Sequence, residues 1–156
     1  MTKQKLSLNR GGAPADKKGR TAAVNPKTHL IALDGDDAVL KTISKLAGSY
    51  FNVLITRDPR HFLAWVEHYP DTTVVITEHV LRTAHGVSLL ESCRTMRPDA
   101  RRVLMTTYHD LASIVGGLHS GAIERLIPKP FSPAELLKAV LPHDVLAAIA
   151  SKRASA

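Results

Sequence analysis

The stretch His29-Leu30-Ile31-Ala32-Leu33-Asp34 is an apolar run of strand length that ends at an acid. A continuous apolar run this short is typical of a strand buried on both faces of a sheet. Four more apolar or β-branched runs follow along the chain, at Asn52–Ile55, Thr73–Thr77, Val103–Thr106 and Arg125–Ile127. The sequence therefore predicts five short, buried strands.

Longer segments with apolar residues at helical spacing separate these runs, and several begin at recognisable helix starts. Asp58-Pro59 and Ser132-Pro133 each place a capping side chain before a proline at the first helical position, and Asp110 precedes a fourth apolar stripe that ends at Gly121. Five strands alternating with five helices predict a parallel sheet with helices on both faces. We expect a flavodoxin-like (βα)5 three-layer sandwich with strand order 2-1-3-4-5.

The ends of the chain differ from this central part. Residues 1–28 carry seven basic side chains, one acidic side chain and no aromatic residue, so we predict a disordered basic tail before a domain that spans 29–141. Pro142 is expected to end the fifth helix near Leu141. For 142–156 we predict a short extra helix over His143–Ala150 and then a frayed end.

Composition limits the classes of protein to consider. No apolar run approaches the roughly 18 residues of a membrane helix, and the polar start of the chain does not resemble a signal peptide. Cys93 is the only cysteine, so no intramolecular disulfide can form. We expect a cytoplasmic protein without membrane insertion and with Cys93 buried on a helix. The oligomeric state stays open.

Polar residues stand at the ends of four predicted strands: Asp34, Glu78, Thr106 and Lys129. Because the carboxyl ends of parallel strands meet at one edge of a sheet, these side chains are expected to lie close together. The Arg101-Arg102 pair before the fourth strand is interpreted as a solvated turn.

These residues, in this order, resemble the receiver domain of two-component response regulators over about 29–141. The resemblance rests on the acidic turn Asp34-Gly35-Asp36-Asp37, on Pro70-Asp71 before the third strand, on Gly86 eight residues after Glu78, and on Gly121-Ala122 followed by Lys129-Pro130-Phe131. It implies that a carboxylate after strand three accepts a phosphoryl group, while Mg²⁺ is held by that carboxylate and by acids after strand one. It also implies that a Thr hydroxyl and a Lys ammonium grip the phosphoryl oxygens.

Three positions depart from the pattern that the resemblance implies. Glu78 stands where the acceptor aspartate is expected, and its extra methylene displaces the carboxylate by about 1.5 Å. Gly35 replaces the second acid, and Asp36, one residue later, could serve only if the loop turned differently. Leu126 occupies a switch position that often holds an aromatic ring. The chain is therefore interpreted as a degenerate pseudo-receiver with Thr106 and Lys129 retained, with no cofactor or metal expected.

We expect Glu78 to form an ion pair with Lys129, with Thr106 nearby, because an unpaired buried charge is costly. An open acidic pocket is the alternative, and a pair that mimics phosphorylation is a further hypothesis. The sequence is not expected to be an enzyme.

The leading functional hypothesis is a stand-alone, phosphorylation-independent module that binds another signalling or scaffold protein in bacterial regulation. It is expected to act through a partner, since only about 15 residues follow Leu141. The resemblance implies that the partner binds the face of helix four, strand five and helix five. The candidate residues on this face are Ile114, Leu118, Glu124, Arg125, Leu137 and Val140.

Two alternatives stay open. Residues 1–28 could attract nucleic acid or another anionic surface weakly, without reading sequence. A phosphorelay receiver with a shifted acceptor, at Asp36 or Asp71, is the other.

Overall fold

The computed structural model describes residues 27–107 and 110–155, which form a parallel five-stranded sheet between two layers of helices. The strands are β1 (His29–Leu33), β2 (Asn52–Thr56), β3 (Thr72–Glu78), β4 (Arg101–Thr106) and β5 (Arg125–Pro128). The helices are α1 (Asp37–Ala47), α2 (Pro59–His68), α3 (Gly86–Met96), α4 (Leu111–Ser120), α5 (Pro133–Val140) and α6 (His143–Ala154). The strand order β2-β1-β3-β4-β5 confirms the predicted flavodoxin-like topology.

Alternate residues of the strands fill two cores. Leu30 and Ala32 of β1 face α1, α5 and α6, whereas Ile31 and Leu33 face α2, α3 and α4. All four are fully buried, which explains why β1 is apolar throughout. Cys93 lies in the second core, and burial raises the pKa of its thiol to about 12.

The predicted helix starts are present as side-chain caps. Asp58 accepts a hydrogen bond from Arg60 N, Asp110 from Ser113 N and Ser132 from Glu135 N. These bonds satisfy backbone N–H groups of the first helical turn that have no partner inside the helix. Gly121 ends α4 with φ 85°, in the left-handed region that glycine tolerates best.

Gly86 fixes the start of α3 close to the end of β3. Its N–H donates to the carbonyl of His79 at 2.7 Å, and a Cβ atom at this position would collide with the carbonyl oxygen of Glu78. A glycine eight residues after Glu78 is therefore required by this close approach.

The segments on either side of the predicted domain show contacts and a helix beyond those expected. Lys27 Nζ donates to the carbonyl of Gly48, and Thr28 Oγ1 lies 2.6 Å from Thr73 Oγ1, so the last two residues of the predicted tail contact the fold. The remainder of that tail, 1–26, lies outside the described residues. At the other end α5 stops before Pro142 as expected, but α6 continues to Ala154 instead of ending at Ala150.

The interpretation of Arg101-Arg102 as a solvated turn is wrong. Both residues belong to β4, and Arg102 is only 6% exposed. Its guanidinium donates to the carbonyls of Pro98, Ala100, Gly121 and Ala122, at 3.0–3.2 Å, and pairs with Glu124 at 2.9 Å. A buried arginine is stable here because its donors find carbonyl oxygens of the loops on both sides of β4.

Candidate functional site

The end of β5 brings a lysine between two carboxylates at the carboxyl edge of the sheet. Lys129 Nζ donates to Asp34 Oδ2 at 2.8 Å and to Glu78 Oε1 at 3.0 Å. Asp34 follows β1 and Glu78 ends β3, so the lysine connects the ends of three strands. The expected ion pair of Glu78 with Lys129 is present, and Asp34 is an additional partner that the sequence did not predict.

The remaining carboxylate oxygens of the pair also accept hydrogen bonds. Glu78 Oε2 accepts from the backbone N–H of Gly35 at 3.1 Å, and Asp34 Oδ1 accepts from the N–H of Asp36 at 2.8 Å. Every oxygen of the two carboxylates therefore faces an N–H donor.

The burial of the three charged side chains differs. Asp34 is fully buried, whereas the side chains of Lys129 and Glu78 are 14% and 26% exposed. Burial raises the pKa of Asp34, and the hydrogen bonds from Lys129 and Asp36 offset only part of that effect. Burial acts to lower the pKa of Lys129, but the hydrogen bonds and charges of Asp34 and Glu78 outweigh it, so the pKa of Lys129 is raised.

Gly35 lies beside the carboxylate of the long acid at the end of β3. A Cβ atom at this position would lie 3.5 Å from Glu78 Oε2, which is ordinary contact. A carboxylate attached there would meet the carboxylate of Glu78. The longer acid, Glu78, thus lies beside a position, Gly35, that carries no side chain.

Asp36 does not replace the missing second acid. Its side chain is exposed and caps α1, with Oδ1 accepting from Ala38 N at 2.8 Å. The loop therefore does not place the carboxylate of Asp36 beside Asp34, which is the arrangement that the sequence had left open.

The carboxylate oxygens of this site are directed at donors of the protein itself. Mg²⁺ requires near-octahedral coordination by oxygens at about 2.1 Å, and here the oxygens of Asp34 and Glu78 are directed at an ammonium group and at backbone N–H groups. Among residues 27–107 and 110–155, no group of three or more His, Cys, Asp or Glu side chains is placed to hold a metal ion.

The other predicted site residues lie in three different environments. Thr106 ends β4, is 2% exposed, and accepts a hydrogen bond at its carbonyl from Lys129 N at 2.8 Å. Leu126 is half-buried and packs against the core under α4. Asp71 lies at the opposite edge of the sheet, where it bonds His29 Nδ1 at 2.8 Å.

His79, next to Glu78, points away from the pair of carboxylates. It is 3% exposed, and its Nε2 lies 3.9 Å from Asp110 Oδ2, near the start of α4.

The predicted partner face is only partly a surface. Ile114 and Val140 belong to the core, at 2% and 1% exposure, and are not available to a partner. Leu137 is half-buried, whereas Leu118, Glu124 and Arg125 are exposed. The apolar surface of α4 is instead formed by Leu111, Val115 and Leu118, which are 62%, 61% and 44% exposed.

Comparison with known proteins decides the family. Residues 30–141 match the response regulator receiver domain. The chain belongs to this family. Receivers are signalling modules of two-component systems, and in general they are not enzymes. Among the described residues, no helix of this receiver is long and apolar enough to cross a membrane.

Two curated relatives are longer than this receiver. It is 30% identical over 112 residues to the DNA-binding transcriptional regulator NtrC of Azospirillum brasilense, over 70% of this chain and 23% of that protein. It is 25% identical over 130 residues to the acid tolerance regulatory protein ActR of Sinorhizobium medicae strain WSM419, over 83% of this chain and 66% of that protein. The chain thus spans less than a quarter of the first protein and 66% of the second.

Solved receivers have the same fold. The signal receiver domain of an HD domain-containing protein from Pseudomonas fluorescens Pf-5 is 25% identical, with a TM-score of 0.69 over 85% of this chain and 96% of that one. A CheY-like receiver from Methanospirillum hungatei JF-1 is 21% identical, with a TM-score of 0.67 over 84% of this chain and all of that one.

Proposed function

We propose that this receiver binds a partner protein without first accepting a phosphoryl group. The observation that carries the proposal is the position of Lys129 Nζ, within hydrogen-bond distance of both Asp34 and Glu78. In a phosphorylated receiver this ammonium group would hold phosphoryl oxygens. Here the ammonium group instead donates hydrogen bonds to the carboxylates of Asp34 and Glu78.

Glu78 is poorly placed to act as a nucleophile. Oε1 accepts a hydrogen bond from Lys129 and Oε2 accepts one from the N–H of Gly35, so the orientation of the carboxylate is set by donors of the protein and not by a phosphodonor. Phosphoryl transfer depends on alignment and on charge stabilisation, which in this family includes a metal ion. We propose that this pocket uses no Mg²⁺, since its carboxylate oxygens already have donors.

The surface that we propose for the partner is the exposed stripe of α4. Leu111, Val115 and Leu118 are spaced by four and three residues, so they lie along one side of the helix. An exposed apolar row of this kind is a candidate for protein contact. Burial of these side chains would supply about 25 cal/mol per Å² before the costs of association.

The first experiment tests phosphorylation. Wild type, Glu78→Asp and the double variant Gly35→Asp/Glu78→Asp are incubated with acetyl phosphate and Mg²⁺, and intact mass is measured. We expect no mass increase for wild type and the largest increase for the double variant, which restores both acids. Phosphate mapped to Glu78 of the wild type would refute the proposal, and phosphate at Asp36 or Asp71 would support a shifted acceptor.

The second experiment tests the surface. Wild type, Val115→Glu and the control Lys41→Glu, on the exposed side of α1, are used to purify partners from the source cells without a phosphodonor. We expect a protein retained by wild type and Lys41→Glu to be lost with Val115→Glu. The interaction is then measured with purified proteins. Retention unaffected by Val115→Glu would contradict the proposed surface.

A further inference from the structure

A groove lies between β5, α5 and α6, and its volume is that of a site for a small molecule. The volume is about 410 Å³, which is within the range of ligand-binding clefts. Ile127, Ala139 and Leu141 line the groove but are only 1%, 7% and 2% exposed, so the fold already covers them. An occupant therefore meets the walls and the rim of the groove more than its floor.

The accessible apolar surface of the groove comes from both of its sides. Leu126 and Pro128 of β5 and Leu146 of α6 are half-buried and line it. Leu146, like His143, follows residue 141, where the match to the receiver family ends. The groove therefore depends on a segment of this chain outside the family's common domain.

Two exposed cations, Arg125 and Lys138, form the rim of the groove. The guanidinium of Arg125 donates to the carbonyl of Glu124 at 2.9 Å, and the ammonium group of Lys138 has no acceptor among residues 27–107 and 110–155. Within those same residues, neither side chain forms an ion pair with a carboxylate. Both charges are therefore available to an anion that enters the groove.

The other charged residues of the lining leave it positive. Arg101 donates to the carbonyls of Ala139 and Leu141, at 3.2 and 2.9 Å, which fixes its guanidinium beside the end of α5. Glu135 contributes one negative charge. With three basic side chains and one acid, the lining favours an anionic ligand.

We propose that the groove binds a small organic carboxylate with an apolar body. The carboxylate lies between Arg125 and Lys138, and the apolar body lies against Leu126, Pro128 and Leu146. This inference goes beyond the proposed function, because the groove includes no residue of the α4 stripe, and the binding requires neither a partner protein nor a phosphodonor.

Two occupants from this protein itself match the charges poorly. Residues 1–26 carry six basic side chains and one acidic side chain, so the rim would repel them. A second copy joined through the same groove would bring two cationic rims together. A small anion avoids both conflicts.

The test compares phenylbutanoate with phenylbutanol and phenylbutylamine, which have the same apolar body and different head groups. Each is titrated into the ¹⁵N-labelled full chain, and amide shifts are followed by NMR. We expect phenylbutanoate to bind most tightly, with shifts concentrated at Leu126, Lys138 and Leu146. The alcohol should bind about threefold or more weakly, and the amine more weakly still, because the rim is cationic. Butanoate, which lacks the ring, should bind about tenfold or more weakly than phenylbutanoate.

Charge reversal on the rim separates this site from general attraction to a basic protein. Lys138→Glu should weaken phenylbutanoate binding by about tenfold, and Arg125→Glu/Lys138→Glu should make phenylbutylamine the preferred ligand of the three. Lys41→Glu, on the exposed side of α1, changes the net charge by as much as Lys138→Glu but lies outside the lining. It should leave all three affinities within about twofold of wild type.

Absence of phenylbutanoate binding, equal affinities for the carboxylate and the alcohol, or shifts confined to residues outside the lining would overturn the proposal. An equal loss of affinity in Lys138→Glu and Lys41→Glu would also overturn it, since only net charge would then matter. Two further results would assign the groove to a macromolecule instead. These are competition with phenylbutanoate by a synthetic peptide of residues 1–26, and a wild-type dimer that Lys138→Glu makes monomeric.

Discussion

Lys129 Nζ lies 2.8 Å from Asp34 Oδ2, so a side chain from the end of β5 reaches the end of β1 across β3 and β4. Asp34 is fully buried at this position. A buried carboxylate needs a cationic partner or a proton, and Lys129 supplies the former. The contact is therefore part of what stabilises the carboxyl edge of the sheet.

Lys129→Met is expected to lower the free energy of unfolding by about 2–4 kcal/mol, because it leaves Asp34 and Glu78 as adjacent carboxylates without their cation. Urea unfolding at neutral pH measures this loss. Lys138→Met, at an exposed position of α5, is the control and should change stability by less than about 0.5 kcal/mol. A similar small effect for Lys129→Met would show that the ion pair contributes little.

Stability is expected to fall in alkaline solution through Lys129. Its pKa is raised in the folded state, so its contribution is fully present below the unfolded value of about 10.4 and is lost as pH rises through the folded value. The difference in unfolding free energy between wild type and Lys129→Met should therefore narrow above about pH 10.4. A difference that stays constant through this range would contradict the raised pKa.

Gly35→Asp should destabilise the wild type by about 1 kcal/mol, because the new carboxylate meets that of Glu78. In a Glu78→Gln background the cost should be smaller by about 0.5–1 kcal/mol, as measured by a double-mutant cycle of urea unfolding. Gly116→Asp is the matched control, since an added Cβ there meets no atom within 4 Å. Its effect should be the same in both backgrounds.

Arg102→Met is expected to cost about 3 kcal/mol or more, because it removes the donors of the carbonyls around the start of β4 and leaves Glu124 without its partner. Arg102→Lys should recover little, since one ammonium group cannot replace the planar guanidinium. Thermal unfolding of both variants tests this. Arg125→Met, at an exposed position, should have a much smaller effect.

Residues 1–26 are expected to give weak, salt-dependent attraction to nucleic acid. Deleting them should abolish binding to a random-sequence DNA duplex at low salt, and wild-type affinity should fall steeply as salt increases, because released counterions drive such contacts. Titrations at two salt concentrations measure both effects. Binding that survives the deletion would place the anionic site on the domain itself.

The fold follows from the sequence because most of its strands are built on apolar runs and four of the six described helices begin at Asp or Ser caps. The apolar residues of α4 could not be assigned in the same way. Ile114, Val115 and Leu118 all occupy helical spacing, yet only Ile114 packs inside, so periodicity alone did not separate core from surface.

The pairing of Glu78 with Lys129 was predictable because both residues stand at strand ends. Asp34 as a second partner was not, since its orientation depends on the turn at Gly35 and Asp36. Arg102 was missed because its partners are carbonyls of residues up to 20 positions away.

The lysine at the end of β5 bears on how a cell would regulate this protein if the proposed function holds. On that proposal, a receiver whose ammonium group is satisfied internally would take no phosphoryl input that a kinase or phosphatase could reset. Complex formation would then follow mass action alone, set by the abundance of the two proteins and by the dissociation constant. Synthesis and degradation of the protein, which are much slower than phosphotransfer, would then control how much complex forms.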